Sequence, residues 1–417
     1  MNTFSIVFLF ALALATLMRL WLSWRHIGHI QAHRAAVPAE FSDQIGLDAH
    51  QRAADYTCAK TRLNAISVVF DAAVLLIFTF GGGLQAVDNI AASFFDGDIA
   101  RGMTFVALLM IVMSVIELPF DLYRTFVIEQ RFGFNKMTIA MFFGDLAKHA
   151  AIGAVLVLPL LFAVLWLMGK MGDMWWLYVW LVAVGFMIFV QFIAPTVIAP
   201  LFNKFTPMQE GEMKKRIESL IARCGFTSKG LFVMDGSKRS SHGNAYFTGF
   251  GKSKRIVFFD TLLSRLNPSE VEAVLAHELG HFRRRHVLKG LILSALFTLA
   301  FLFLLGNLKD QPWFYQGLNV AFPATDAMAL TLFFLVMPTF TFLLQPLLSM
   351  YSRRHEFEAD QYAVQNANAH ELVSALVKLY KDNASTLTPD PVHSAFYDSH
   401  PPAPIRIARL QQAAAAT

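Results

Sequence analysis

Charged residues are scarce in this chain of 417 amino acids, of which only 16% are Asp, Glu, Lys or Arg while 55% are hydrophobic. Soluble domains carry about 25% charged residues, so this balance excludes an ordinary soluble protein and indicates a membrane protein. The net charge of +5 is small and is spread over several loops. We interpret it as a signal of membrane topology and predict no nucleic-acid partner.

Cysteine is almost absent as well. Cys58 and Cys224 are far apart in the sequence, which argues against a disulfide framework and against a thiolate zinc site. A basic segment is also missing ahead of the apolar stretch at 4–18, where a secretory signal would have one. Arg19 and Arg25 follow that stretch instead. We therefore expect it to be a retained first membrane span.

Seven apolar runs have the length of about 20 residues that crossing a bilayer requires. They lie at 4–23, 63–86, 103–122, 150–169, 175–198, 290–307 and 326–350. The loops between them are alternately rich and poor in Lys and Arg. This alternation predicts that the N-terminus lies outside and that the C-terminus lies in the cytoplasm. The segment 204–289 and the tail after 350 would then share the cytoplasmic side.

The segment 204–289 differs in character from the spans around it. Its residues 244–248 and 255–259 are short β-prone runs on either side of a connection that contains Gly249 and Gly251. This pattern predicts a β-hairpin, and hence a small sheet attached to a helical body. We expect four parts in the chain. Residues 1–203 hold membrane helices 1–5 with their loops, and 204–289 hold the hairpin and a metal-binding helix. Residues 290–350 hold membrane helices 6 and 7, and 351–417 form a helical C-terminal segment. The fold class is accordingly a mainly α, polytopic membrane protein with a small α+β portion on the cytoplasmic side.

Two acidic residues, Asp71 and Glu117, fall inside the second and third apolar runs. Charges inside a membrane are candidates for function. An equally acceptable interpretation is that both face a wet interior and satisfy contacts between helices. We assign them no role from the sequence.

The central motif is His277-Glu278-Leu279-Gly280-His281. Two histidines four residues apart lie on one face of a helix, where both imidazoles can bind one zinc ion, and Glu278 can act as general base on a water molecule. Asn267, Pro268 and Glu270 precede the motif with the spacing of a capping box, which predicts the start of the helix.

A zinc site needs a third protein ligand, which a downstream acidic cluster offers. Glu356 and Asp360 share a helical face, so that one could bind the metal while the other orients a ligand histidine. Glu358 points away from that face, and spacing favours Glu356 over it. His286 lies well round a continuous helix from His281, and we expect it either to support the site from behind or to lie on the surface.

The chain resembles the type I CAAX prenyl proteases, the Ste-type integral-membrane zinc endopeptidases. Besides the zinc motif and the acidic cluster 356–360, the resemblance rests on three ordered blocks, Glu129–Lys136, Gly236–Phe247 and Ser399–Pro402 followed by Arg406. Together these blocks extend over nearly the whole chain.

This resemblance implies a ring of seven membrane helices around an internal chamber, with the zinc site facing that chamber. It implies Glu356 as third zinc ligand and Asp360 as its supporting carboxylate. It implies further that Asn244 and the adjacent Ala245 bind substrate beside an edge strand. Two residues, His400 and Arg406, would stabilise the oxyanion of the transition state.

The expected function is that of a zinc metalloendopeptidase, with one zinc per chain, which cuts near the C-terminus of CAAX-type prenylated proteins. Its partners would be a peptide or protein substrate that carries a lipid, and the bilayer itself. It would lie in the inner membrane of a bacterium or the endoplasmic reticulum of a eukaryote. A quality-control protease of the heat-shock type, with little dependence on a lipid, is the alternative enzyme; a catalytically silent membrane chaperone or transporter is the alternative without enzymatic activity.

Overall fold

The structure, a computed structural model, describes residues 1–248 and 253–415. Its α-helices are α1 Thr3–Ala32, α2 Leu47–Phe78, α3 Gly83–Ala92, α4 Asp98–Tyr123, α5 Ile139–Lys170, α6 Trp175–Ile193, α7 Ala199–Phe202, α8 Glu212–Arg223, α9 Asp260–Leu263, α10 Pro268–Arg283, α11 His286–Leu308, α12 Pro312–Gln316, α13 Asp326–Thr341, α14 Gln345–Asn366, α15 Ala369–Asp382, α16 Pro391–Tyr397 and α17 Ala403–Ala415. Its strands are β1 Phe205–Pro207, β2 Thr227–Met234, β3 Ala245–Thr248 and β4 Ser253–Phe259.

Seven helical stretches in the described part of the chain are long and apolar enough to span a membrane, which confirms the predicted number. Some of these stretches join consecutive helices, so that the last one contains both α13 and α14. They are Thr3–Ala32, Leu47–Phe78, Asp98–Glu129, Ile139–Lys170, Gly172–Phe202, His286–Leu308 and Asp326–Asn366. Large apolar side chains on their outer faces, such as Phe10, Val155 and Leu296, are exposed. Exposed apolar faces of this kind are what a helix bundle presents to lipid.

The second span ends earlier than predicted, at Phe78 rather than at 86. The apolar composition continues through a turn in which Gly82 has a φ of +78°, a conformation that residues other than glycine rarely adopt. A Cβ on Gly81 would lie 2.6 Å from the carbonyl oxygen of Ile77. The new helix α3 then begins at Gly83. Hydropathy cannot detect such a turn, because the residues on both sides of it are apolar.

The sheet has the strand order β1-β2-β4-β3. Strands β3 and β4 pair antiparallel, with Ala245 opposite Phe258 and Tyr246 opposite Val257, which confirms the predicted hairpin. Its connection at 249–252 lies outside the described residues. Strand β2 pairs parallel with β4 on the other side. Within the described part of the chain, strand β3 is therefore an edge strand of the sheet.

The two largest hydrophobic clusters of the described residues form the two main cores of the molecule. One lies among the membrane spans and contains Phe8, Phe105 and Leu332. The other lies between the sheet and the helices α8, α10, α15 and α17, where Phe258 and Leu275 are buried. Apolar burial of this kind stabilises the second core as it would in a soluble domain. The metal-binding helix is thus rigidly held by one of its faces.

Candidate metal centre and active site

Helix α10 carries the zinc motif, and its start has the predicted cap. The side chain of Asn267 accepts a hydrogen bond from the Glu270 backbone N–H at 2.8 Å, and the Asn267 N–H donates to Glu270 Oε2 at 2.8 Å. Pro268 occupies the first turn. Lys378 of α15 forms an ion pair with Glu270 at 2.7 Å. The capping box is confirmed, and it sets the helical phase at which the two histidines point inward.

Three side chains from two helices point at one position. His277 Nε2 and His281 Nε2 lie 3.2 Å apart. The Glu356 carboxylate of α14 lies 3.5 Å from His277 Nε2 and 3.4 Å from His281 Nε2. Among the described residues, this is the one group of three such side chains whose ligand atoms all lie within 4.8 Å of one another.

These distances fit a zinc ion. Zinc bonds to nitrogen and oxygen of about 2.0–2.2 Å in a tetrahedral arrangement place ligand atoms about 3.3–3.5 Å apart. Glu356 Oε2 is buried and has no hydrogen-bond partner among the residues that the structure describes, although a buried carboxylate oxygen normally has one. Two imidazoles and a carboxylate are also the donor set of many catalytic zinc sites, which keep a fourth position open. The residues present therefore fit the metal.

Behind His277, Asp360 and Arg406 form a buried pair. The Asp360 carboxylate accepts a hydrogen bond from His277 Nδ1 at 2.8 Å. Arg406 donates to both oxygens of Asp360, at 2.8 and 2.7 Å, and its Nη1 lies 3.7 Å from Glu356. Burial and the Arg406 charge would lower the pKa of His277, but the contacts with Asp360 and Glu356 outweigh them and raise it to about 9. Asp360 thus directs His277 Nε2 at the metal position.

Glu278 points into a cavity of about 120 Å³. Burial raises the pKa of Glu278, against the effect of the nearby His277 charge. The same cavity is lined by Asn244 and Ala245, at the start of the edge strand, and by His400. A base, a metal position and an open strand therefore meet in one cleft, which is the arrangement needed to hold and hydrolyse a peptide bond.

His400 connects this cleft with the membrane interior. Its Nε2 lies 3.5 Å from Glu356 Oε1, while 64% of its side chain is exposed. It also lines a cavity of about 920 Å³ that reaches Arg19 and Asp71 of the first two spans. The cavity beside the metal position therefore adjoins a larger chamber among the spans.

Two of the sequence blocks described above dock onto each other and fix the edge strand. Glu129, at the end of the third span, accepts a hydrogen bond from Tyr56 at 2.5 Å and contacts His242 at 3.4 Å. Asn383 of the α15–α16 connection accepts from the Gly243 N–H at 3.1 Å. The segment that leads to Asn244 is thus attached both to the membrane helices and to the C-terminal part of the chain.

The structure brings the nine predicted site residues together: His277, Glu278, His281, Glu356, Asp360, Asn244, Ala245, His400 and Arg406. Sequence reasoning missed Asn383, and it left His286 open between a supporting and a surface role. His286 is buried, 6% exposed, and contacts His281. Sequence reasoning also missed the apolar wall of the cleft, formed by Leu372, Leu376 and Leu379. The amphipathic pattern of α15 indicates burial there but no function.

Comparisons with known proteins agree with this geometry. A family model described as the CAAX prenyl protease N-terminal region of five membrane helices matches residues 26–204, and the model of peptidase family M48 matches residues 207–414. CAAX prenyl protease 1 of Saccharomyces cerevisiae is 33% identical over 404 residues, which cover 90% of this chain and 88% of the relative.

Two further similarities extend this picture. The CAAX prenyl protease 1 homolog of Arabidopsis thaliana is 38% identical over 314 residues, 74% of this chain and 72% of the relative. The crystal structure of S. mikatae Ste24p superimposes with a TM-score of 0.90 at 30% identity, and the match covers 98% of this chain and 99% of that one.

Proposed function

Since the chain belongs to peptidase family M48, among the CAAX prenyl proteases, we propose that His277, His281 and Glu356 hold one catalytic zinc ion per chain and that the natural substrate carries a lipid. The chain is a membrane metalloendopeptidase of CAAX processing. The observation that supports the site assignment is the convergence of His277 Nε2, His281 Nε2 and the Glu356 carboxylate beside Glu278 and an open edge strand. The two nitrogens lie 3.2 Å apart, and each lies 3.4–3.5 Å from one of the two carboxylate oxygens.

The metal that His277, His281 and Glu356 would hold would supply Lewis acidity, for the scissile carbonyl and for the attacking water. Glu278 takes up the proton of that water, because its carboxylate lies in the same cavity and its raised pKa suits a proton acceptor that later returns the proton. The raised pKa also keeps the proton available for the leaving amine.

The supporting residues hold the ligands rather than react. Asp360 fixes the tautomer of His277, so that Nε2 offers its lone pair to the metal. Arg406 neutralises the buried Asp360. His400, which is exposed to the cleft, is placed to donate a hydrogen bond to the oxyanion.

The substrate backbone binds along β3. Among the described strands, β3 pairs with β4 alone, so its other side offers backbone groups to an extended peptide. Asn244 and Ala245 lie where that strand meets the metal position. The part of the peptide that follows the cleavage site can then extend toward the larger cavity beyond His400.

A lipid on the substrate would bring the substrate to the membrane and to the site. A prenyl group partitions into the bilayer and brings the adjacent peptide bond to the level of the membrane. A bare peptide has to enter from water and order itself on the strand without this anchor. We therefore expect the lipid to lower the apparent KM more than it raises kcat.

Matched kinetics test the proposal. A farnesylated CAAX peptide and its unmodified twin are given to the purified protein, with the Glu278→Gln variant as background. We expect a lower apparent KM for the farnesylated peptide. Equal kcat/KM for both would overturn the requirement for a lipid and favour the quality-control alternative, which predicts efficient cleavage of unfolded membrane proteins. Binding without any turnover would instead favour the silent chaperone.

A further inference from the structure

Behind the second proposed ligand histidine, His281, lies a series of side chains. It differs from the Asp360–Arg406 pair behind His277. His281 Nδ1 lies 3.0 Å from Nδ1 of His286. His286 Nε2 in turn lies 3.1 Å from Glu358 Oε2. Neither His286 nor Glu358 belongs to the group of three whose ligand atoms converge. His286 contacts a member of that group, and Glu358 lies one contact further back, behind His286.

A sharp turn brings His286 into this position. Five residues along a continuous helix would rotate it about 140° away from His281. Helix α10 instead ends at Arg283 and α11 begins at His286, with Arg285 between them in the left-handed conformation at a φ of 57°. A residue other than glycine rarely adopts this conformation, and it persists only where the surrounding structure enforces it. The turn returns the His286 ring to the side of His281.

Glu358 and His286 are themselves held in place. The Glu358 carboxylate lies 3.4 Å from Arg354 Nε and 3.8 Å from Lys289 Nζ. The His286 ring is 6% exposed and stacks on His355, with centroids 3.9 Å apart and an angle of 10° between the planes. The series of side chains behind His281 is therefore held in place by further contacts and is not a chance approach of surface groups.

With the His286 ring neutral, one assignment of protons satisfies all of these contacts. The carboxylate of Glu358 only accepts, so His286 Nε2–H donates to it. Nδ1 of the neutral His286 ring is then a lone pair, which accepts from His281 Nδ1–H. The other nitrogen of His281, Nε2, consequently presents its lone pair toward His277 Nε2 and Glu356, where the metal position lies.

We propose that His286 and Glu358 are positioning residues that hold His281 in the tautomer and orientation for metal binding. This inference rests on the proposed zinc site and extends it. The two ligand histidines would thereby be supported unequally: His277 by a carboxylate directly, at 2.8 Å from Asp360, and His281 by a neutral imidazole with a carboxylate behind it. Glu358, which spacing disfavours as a ligand, thus acts through His286.

Zinc affinity of the purified protein, measured by competition with a chromophoric chelator, tests this role independently of catalysis. His286→Leu removes the acceptor, and we expect it to weaken zinc binding about 10–100-fold, as loss of an outer hydrogen-bond partner does in other metal sites. His286→Asn offers an amide oxygen near the place of Nδ1 and should restore part of this loss. His355→Phe keeps the stacked ring without its nitrogens, and it should bind zinc like the unchanged protein.

Cobalt substitution gives a second measurement. The visible absorption of bound Co²⁺ depends on the geometry of its ligands, so His286→Leu should shift the spectrum while His355→Phe leaves it unchanged. Thermal unfolding of the metal-free variants detects a loss of packing. Wild-type zinc affinity and an unshifted cobalt spectrum in His286→Leu would overturn the inference, even if the melting temperature falls.

His281→Ala separates this inference from the proposed function. If His281→Ala loses zinc while His286→Leu retains full affinity, the ligand assignment stands and the role of His286 is refuted. If His281→Ala itself retains full zinc affinity, the ligand assignment is wrong, and the role of His286 falls with it.

Discussion

Two carboxylates in the cleft, Glu278 and Glu356, have different surroundings and therefore different expected roles. Glu356 lies within 3.5 Å of both ligand histidines. Glu278 lines the neighbouring cavity, and burial raises its pKa. One is placed to bind a cation and the other to exchange a proton.

Substitution of each carboxylate should separate metal binding from turnover. Glu278→Gln should retain zinc and lose nearly all activity, because the amide cannot take up the proton of the attacking water. Glu356→Ala should lower zinc occupancy, because it removes one of three protein ligands. Zinc content by elemental analysis and peptide hydrolysis, measured on the same preparations, check both expectations. Full zinc occupancy in Glu356→Ala would refute the ligand assignment.

His400 and Arg406 also differ in their surroundings, although the sequence resemblance gives both the same role. The His400 side chain is 64% exposed in the cleft, whereas Arg406 is 5% exposed and is bound to Asp360 through two nitrogens. Burial by itself would lower the pKa of Arg406, but the Asp360 carboxylate keeps it raised. We therefore propose that Arg406 supports the metal site from behind.

We expect His400→Ala to lower kcat by about 10²–10³ with unchanged zinc affinity, as removal of an oxyanion donor does. Arg406→Ala should lower kcat and also weaken zinc binding, because it leaves Asp360 buried without its partner. Zinc competition titrations alongside kcat distinguish the two variants. If His400→Ala changed only KM, His400 would be a substrate contact and not an oxyanion donor.

At the scale of elements, the site depends on how closely α10 and α14 approach each other. Gly280 lies in the zinc motif, and a Cβ at this position would be 2.8 Å from Cα and 3.0 Å from the carbonyl oxygen of Ala359. The backbones therefore pack in contact at the level of the ligands. Because Gly280 lacks a side chain, α14 can pack close enough for Glu356 to contact the two histidines.

Gly280→Ala should force the two helices apart. We expect it to destabilise the protein by about 1–3 kcal/mol, as overpacking does, and to lower zinc affinity because Glu356 moves away from the histidines. Gly290→Ala in α11 is the matched control, since a Cβ there meets nothing within 4 Å. Thermal unfolding and zinc titration check the pair. Equal behaviour of the two variants would contradict the close-packing argument.

At the scale of the whole molecule, charges inside the membrane face cavities. Asp71, Glu117 and Arg19 line a cavity of about 230 Å³ between the spans. Asp71 and Arg19 also line the larger cavity that reaches His400. A polar interior lowers the cost of keeping such charges at membrane depth. This placement agrees with the wet interior expected from the sequence and assigns no catalytic role to them.

The orientation in the membrane is a prediction that reporter fusions can check. A reporter placed after residue 417 should lie in the cytoplasm, and one placed ahead of residue 1 should lie outside, because the loops that follow odd-numbered spans carry more Lys and Arg. A reporter inserted at Asp96, between the second and third spans, should share the outer side. Both termini on one side would contradict the seven-span topology.

Much of the fold could be predicted from local patterns in the sequence. Seven spans, the capped helix and the hairpin each depend on residues that are near in sequence, and all three are confirmed. The predicted end of the second span, at 86, was wrong, because a turn built on Gly81 and Gly82 has the same hydropathy as a helix. The parallel pairing of β2 with β4 was not predicted, since it joins segments separated by other elements.

The sequence by itself determined the membrane class, the pair of histidines with a glutamate between them, and the downstream carboxylates on one helical face. Helical periodicity and hydropathy are enough for these, because they act within a few turns of chain. Only the tertiary structure decided what lies behind each ligand. His286 returns to His281 through a left-handed turn at Arg285, and Arg406 reaches Asp360 from a separate helix. Such contacts depend on how whole elements pack, and no spacing along the chain encodes them.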